Sequence, residues 1–418
     1  MPPLSRRITD IAGRAATVLD NGRIRVVVED FAGMTPELSF AHGAGRINTH
    51  FVPKFRGSSC AYDEAKHGKV WGGRLAHELA GNFPCFPTFG WASKDRGYEV
   101  PGCGHTAQGE WTVVAHGADE SAAWQVSEMG GASGEATVGL TYRKYDIVLA
   151  GDDTHHQVMK IRNHRTDTFM FGGAWHNTTG QPFIEQGCRI SASADRWATP
   201  PVSHDPAQNE RLALAREFDS LAAAPARDGS TVDLSVVPGP VGTTDFLTGR
   251  IPPSAKLGWM SVVNPRQNAI YLTYFRGPAA TPSDEFTFHF NHLWLQYGGR
   301  NFPPFARYEG GADHELAVGV ESAVSAWGYG LDYCDKHPVL MGNPTILPLA
   351  PGEEKTLYQG TLVAKIGTAA LDAGVGKVEA SADALVLTGV SGGTVRMAAD
   401  ANFERVKALV SKLDADRA

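Results

Sequence analysis

The sequence predicts an all-β fold, a sandwich or a barrel, on three observations. Apolar and polar residues alternate with period two in many short runs, the pattern of a strand with one buried face. Gly, Pro, Asn and Asp break the chain between those runs, and the high Gly 47 and Pro 25 suit a fold that needs many turns. Helical periodicity is confined to two segments.

The runs follow one another along the chain. Residues 23–29 (RIRVVVE) open the series, and 111–115 (WTVVA), 136–143 (ATVGLTYR), 157–163 (QVMKIRN) and 168–171 (TFMF) continue it. Then come 269–275 (AIYLTYF), 286–291 (FTFHFN), 293–297 (LWLQY) and 316–322 (LAVGVES), and 355–364 (KTLYQGTLVA) closes it. Residues 209–218 (NERLALAREF) fit a helix. So do residues 401–413, where Phe403, Val406, Leu409, Val410 and Leu413 fall on one helical stripe. That stripe suits packing on the sandwich or on another subunit. Residues 198–240 are rich in Pro, Ala, Asp and Ser and read as a long insertion, because strands resume beyond them. The expectation is one domain over 1–418, with an insertion at 198–240 and a C-terminal tail and helix at 366–418, irregular or weakly β before the helix.

Composition narrows the function. With 42% hydrophobic residues the chain can bury a large core. The net charge of -7 comes with mixed signs and no basic run, which argues against nucleic acid or an anionic membrane as partner. No run of about 18 apolar residues is present to span a bilayer, and the first residues lack the apolar stretch of a signal peptide, so a cytoplasmic location is expected. The five cysteines are scattered without a CxxC pair, so neither a disulfide framework nor a zinc ribbon is expected. His155, His156, His289, His292 and His314 form no compact ligand motif. The adjacent pair His155 and His156 diverges on a strand, and no metal is expected.

Four segments carry chemistry. Residues 80–90 (AGNFPCFPTFG) interleave aromatic rings with prolines and glycines, a rigid loop fit either for core packing or for stacking on a sugar. His105 follows glycines in GCGHTAQGEW, just before a strand. His176 ends an apolar lead-in and precedes the polar residues Asn177, Thr178 and Gln181, which can bond hydroxyls and fix the imidazole tautomer. Glu321 sits in an apolar strand, on the face opposite Val318 and Val320. A carboxyl there is either solvated or turned into a cleft where burial raises its pKa. Two histidines and a carboxylate suffice to protonate one oxygen while deprotonating another.

These segments resemble one family. Residues 79–90 followed by Gly104-His105 before Trp111 resemble the glycine-proline-phenylalanine segment and histidine loop of aldose 1-epimerases. Residues 175–183 (WHNTTGQPF) are similar to the second histidine strand of galactose mutarotase-like proteins, and 316–321 resemble the strand bearing their general base. Residues 348–358 (PLAPGEEKTLY) are similar to their closing turn and last strand. The resemblance implies a large antiparallel β-sandwich, the galactose mutarotase-like supersandwich, and interconversion of sugar anomers without metal or organic cofactor. His176 would protonate the ring oxygen, Glu321 would take the anomeric proton, and His105 would bind substrate and assist. Arg46, Asn48, Phe86, Asn177, Gln181 and Trp294 are the expected sugar-binding residues. The chain departs from the hexose-phosphate members. Thr106 to Gly109 stand where an arginine follows the first histidine, and Leu79 and Ala80 stand where an arginine precedes the aromatic segment. Phosphorylated sugars are therefore disfavoured unless Arg46, Arg56, Arg74 or Arg300 substitutes through space.

Two other readings keep the same residues. One is a lyase or another isomerase acting on a modified sugar or glycoside. The other is a non-catalytic carbohydrate-binding protein, for which Glu321 would face solvent or pair with a structural arginine. Exposed sheet edges and the terminal helix permit a homodimer.

Overall fold

The computed structural model describes residues 2–416 apart from 11, 54–55, 57–61, 72, 204–208, 299–306, 309–310 and 313–314. Strands account for 46% of it and helices for 12%. Two large antiparallel sheets face each other. The larger runs Arg189–Ala192, Leu257–Asn264, Ala269–Arg276, Glu354–Lys365, Thr154–Asn163, Leu140–Leu149, Ala122–Met129, Thr112–Ala118. The smaller runs Glu217–Phe218, Arg196–Ala198, Thr243–Arg250, Phe290–Tyr297, Leu316–Ala323, Ala174–Gly180, Asn82–Cys85. A five-stranded meander from Leu4–Thr9 to Gly45–Asn48 adds Leu19, Val26 and Leu38 to the core between them.

Period-two alternation builds that core. Met260 and Val262 from the larger sheet meet Leu293, Leu295, Val318 and Val320 from the smaller one. A polar seam crosses the same space. Lys144 Nζ donates to Asp146 at 2.7 Å, and His155 Nε2 lies 3.0 Å from the same carboxylate. Asn82 donates to Gln157 at 2.9 Å and Gln359 donates to Asn177 at 3.1 Å, so side-chain amides from both sheets pair out of water. His156 turns the other way, against Asp152 and the ring of Phe403, as adjacent strand residues must.

The tail is more regular than its sequence indicates. Val375–Ala380, Ala384–Gly389 and Thr394–Ala398 form a three-stranded sheet. Helix Glu404–Ala415 follows, and Val406, Leu409, Val410 and Leu413 pack in one cluster with Ile147, Val158, Tyr274 and Leu362 of the larger sheet. Asp414, at the helix end, accepts from Arg143 at 2.9 Å and from the Tyr145 hydroxyl.

Residues 209–218 are not helical. Arg211 and Leu212 donate their backbone N–H groups to Asp245, and Ala213 donates to the Pro225 carbonyl. These tertiary partners outcompete the local helical preference. Within residues 198–240, Leu212, Leu221, Leu234 and Val237 join the inter-sheet core. The two runs at 286–297 give one strand, Phe290–Tyr297, and the run at 136–143 contributes only the start of Leu140–Leu149. No helix among the described residues is long and apolar enough to cross a membrane.

Candidate functional site

The smaller sheet turns its second face away from the core, and strand register writes a row of side chains across that face. His292 pairs directly with Glu321, and His176 pairs with Phe83. The pairs Trp175↔Ser322 and Thr178↔Gly319 bring His176 opposite Glu321. Valines at 318 and 320 point into the core, so Gly319 and Glu321 take the other side. Residues 89–91 and the turn at Cys103 lie over this row and line an open cavity of about 200 Å³.

Glu321 and His176 form its floor. His176 Nε2 is 3.3 Å from Glu321 Oε1, and Glu321 is only 1% exposed. On the other side of the ring, the Thr178 hydroxyl lies 2.9 Å from His176 Nδ1. The imidazole stacks on Phe83 with centroids 4.5 Å apart and meets the edge of Trp294 at 5.5 Å. Burial in this apolar setting favours the uncharged form of both partners. It pushes Glu321 well above the ordinary carboxyl range, reinforced by Cys103 nearby, and pushes His176 down to about 3. Burial thus favours a protonated Glu321 carboxyl beside an uncharged His176 imidazole.

On the other side of the carboxyl, His292 Nδ1 is 3.7 Å from Glu321 Oε2, and its ring is flanked by Phe89 and Phe246. Cys103 lines the cavity in a left-handed backbone conformation (φ 59), just before the helix Gly104–Gln108. The Cys85 thiol bonds its sulfur and holds Cys103 below the ordinary thiol range. Phe89, Trp91, Phe246 and Trp294 supply aromatic walls, with Thr244 and Glu210 as polar members.

Of the residues expected from sequence, His176, Glu321 and Trp294 come together here. The others stand elsewhere. His105 points from the short helix into a separate cavity with Gln108, Glu110 and Met129, and burial pushes it down to about 4. The turn brings Cys103, two positions earlier, to the Glu321 cavity instead. Asn177 faces the inter-sheet seam, because its neighbour His176 takes the cavity side. Phe86 is fully buried against Phe171 and Trp175. Arg46 donates to Ser39 at 3.0 Å and Asn48 bonds the Leu38 and Pro36 backbone, both within the meander. Gln181 is exposed beyond the end of the His176 strand.

Of the arginines that could meet a phosphate, Arg56 and Arg74 are engaged with carboxylates. Arg56 bonds Glu29 at 2.7 Å, and Arg74 bonds Glu78 at 2.9 Å and Glu110 at 3.0 Å. Arg300 and His314 lie outside the described residues. Among the described residues no group of three or more His, Cys, Asp or Glu is placed to hold a metal ion.

Phe89 comes from the aromatic segment 80–90 expected to stack on a sugar, whereas the sequence reading did not place His292, Cys103, Trp91 or Phe246 in the cleft. The only signals were a histidine interrupting an apolar run (FNHLW) and a cysteine between two glycines (GCG). Neither says which strand lies next to which.

No known family profile matches the chain, and no curated protein matches it in sequence. Solved structures do match. A protein of Klebsiella pneumoniae subsp. pneumoniae that carries the provisional name aldose 1-epimerase aligns with a TM-score of 0.55 at 13% identity, over 84% of this chain and 79% of that one. A galactose mutarotase-like protein of Clostridium acetobutylicum aligns at 0.55 and 12%, over 87% of this chain and 99% of that one. A protein of Salmonella typhimurium provisionally named a mutarotase aligns at 0.51 and 12%, over 87% and 94%. At such identities the likeness establishes the fold: this chain has the galactose mutarotase-like sandwich.

Proposed function

We propose that the protein is a carbohydrate isomerase that interconverts sugar anomers by proton transfer, in the manner of an aldose 1-epimerase. The observation that supports this most is the buried Glu321–His176 pair on the floor of an aromatic-walled cavity, 3.3 Å apart and flanked by His292. Aromatic rings receive the C–H face of a pyranose, and the pair meets its polar edge.

Before sugar binds, the carboxyl holds the proton and the imidazole is uncharged, because burial disfavours both charges. Sugar hydroxyls entering the cavity stabilise the charged arrangement, and the proton crosses to His176 Nε2. The Glu321 carboxylate then takes the anomeric hydroxyl proton while the His176 imidazolium protonates the ring oxygen. The bond from C1 to the ring oxygen breaks, and C1 becomes the free aldehyde. Rotation about the bond between C1 and C2 presents the opposite face, and the reverse transfers close the ring. Thr178 keeps the imidazole oriented from Nδ1. Each cycle returns both partners to their starting protonation, so nothing is consumed.

Polarimetry of freshly dissolved α-aldoses tests the proposal. Wild-type protein should speed the approach to anomeric equilibrium. Glu321→Gln should slow it by about a hundredfold or more, the usual worth of a positioned acid–base group, while still binding sugar. A Glu321→Gln protein as fast as wild type would refute the assignment.

A further inference from the structure

The same cavity has a depth gradient that its floor does not explain. Glu321 and His176 are 1% and 7% exposed, whereas Trp91, which lines the same space, is 48% exposed. Trp91 is held firmly despite its exposure. Its backbone N–H donates to the Gly328 carbonyl at 3.1 Å, and its ring packs on Tyr329 with centroids 4.7 Å apart. Gly90 and Gly330 let the two segments approach this closely: a Cβ at Gly90 would stand 1.9 Å from the Gly328 oxygen, and one at Gly330 would stand 2.7 Å from the Trp91 oxygen. The indole is therefore a half-exposed plate, packed on Tyr329 over a closely set backbone, at the cavity mouth.

Charge points the same way. The described lining holds the carboxyls of Glu210 and Glu321 and no lysine or arginine, and Glu210 is ion-paired with Arg227. An anionic sugar would bury its charge there with no described lysine or arginine in the lining to neutralise it.

Resting on the reading of the floor as a sugar site, we propose that Trp91 forms a second saccharide subsite and that the ligand is an uncharged, reducing oligosaccharide of two or more units. The reducing-end ring lies over His176 and Glu321. The next ring lies at the mouth, with its C–H face on the indole. The order of the units follows from the chemistry, since only the reducing end has an anomeric hydroxyl to give up.

Calorimetric titration with glucose and galactose on one side, and maltose, cellobiose and lactose on the other, tests this. At least one disaccharide should bind wild-type protein about fivefold to tenfold more tightly than its monosaccharide, the scale of one ring stacked on an indole. Trp91→Ala should bring that ratio close to one, and Trp91→Phe should restore most of it. Glucose 6-phosphate and glucuronate should bind more weakly than glucose. Binding of monosaccharides with no disaccharide advantage, or an advantage untouched in a folded Trp91→Ala protein, would overturn the subsite and leave the floor assignment standing. Binding of neither class would overturn the sugar reading and the subsite together.

Discussion

Gly319 shows how a residue without a side chain shapes the cavity. It lies between Trp294 and Glu321, and a Cβ there would come within 2.9 Å of Trp294 Cβ and 3.1 Å of Glu321 Oε1. The Trp294 atom is next to backbone and has little freedom to retreat. Gly319→Ala should therefore cost about 1–3 kcal/mol of stability through overpacking and weaken sugar binding by displacing the carboxyl. Urea unfolding alongside a sugar titration would check both; an alanine variant equal to wild type in each would mean that the floor is looser than described. At this scale the sequence was partly legible. An acid among valines announces Glu321, since such a carboxyl needs a purpose. Alternation sends it away from Val318, although alternation alone leaves open what covers it. His176 and Asn177 were both candidates, and neighbours on a strand cannot share one face. His292 was invisible because its meeting with Glu321 depends on which strands pair, and no local pattern encodes that.

Elements differ in how far their own sequence decides them. The C-terminal helix was readable because its apolar stripe needs a surface and the larger sheet provides one. Residues 209–218 carry as good a helical composition, yet Asp245 and the Pro225 carbonyl take their N–H groups. Strand Ala174–Gly180 continues through the polar residues after His176, because it pairs with Leu316–Ala323 at both its ends and with Asn82–Cys85 over Ala174 to Asn177. The helix is a structural cover for the larger sheet. Leu409→Ala should cost about 2 kcal/mol, at the low end for a leucine truncated in a packed interior because it is 8% exposed. Chemical denaturation would measure it, and an unchanged midpoint would show that the helix folds apart from the sandwich.

Taken whole, the molecule has buried groups that set its acid tolerance. Burial pushes His50 and His176 down to about 3 and His77, His105 and His289 down to about 4, from an ordinary 6.5. As pH falls below 6.5 the unfolded chain takes up protons that the folded one refuses, so stability falls with pH. Glu29, pushed up to about 7, and Glu321 and Asp153, also raised, act in the opposite sense, gaining stability as they are protonated. Burial lowers His155 as well, and six histidines outweigh three carboxyls, so the melting temperature should drop steadily from pH 6.5 to about 4. Scanning calorimetry across that range would show it; a flat profile would mean that the histidines are hydrated in solution.

The amide seam has a bearing on the cavity behind it. Asn82 adjoins Phe83 and Asn177 adjoins His176, and both amides bond glutamines of the opposite sheet. A strand that slid by even one residue would leave these amides with no mates in a dry interior. The seam thus works as a dowel: it pins the His176 strand against sliding and keeps the 3.3 Å gap to Glu321 set before any ligand arrives. Damage to Gln157 or Gln359, in the opposite sheet and out of reach of the cavity, would be felt at the floor as a change of alignment.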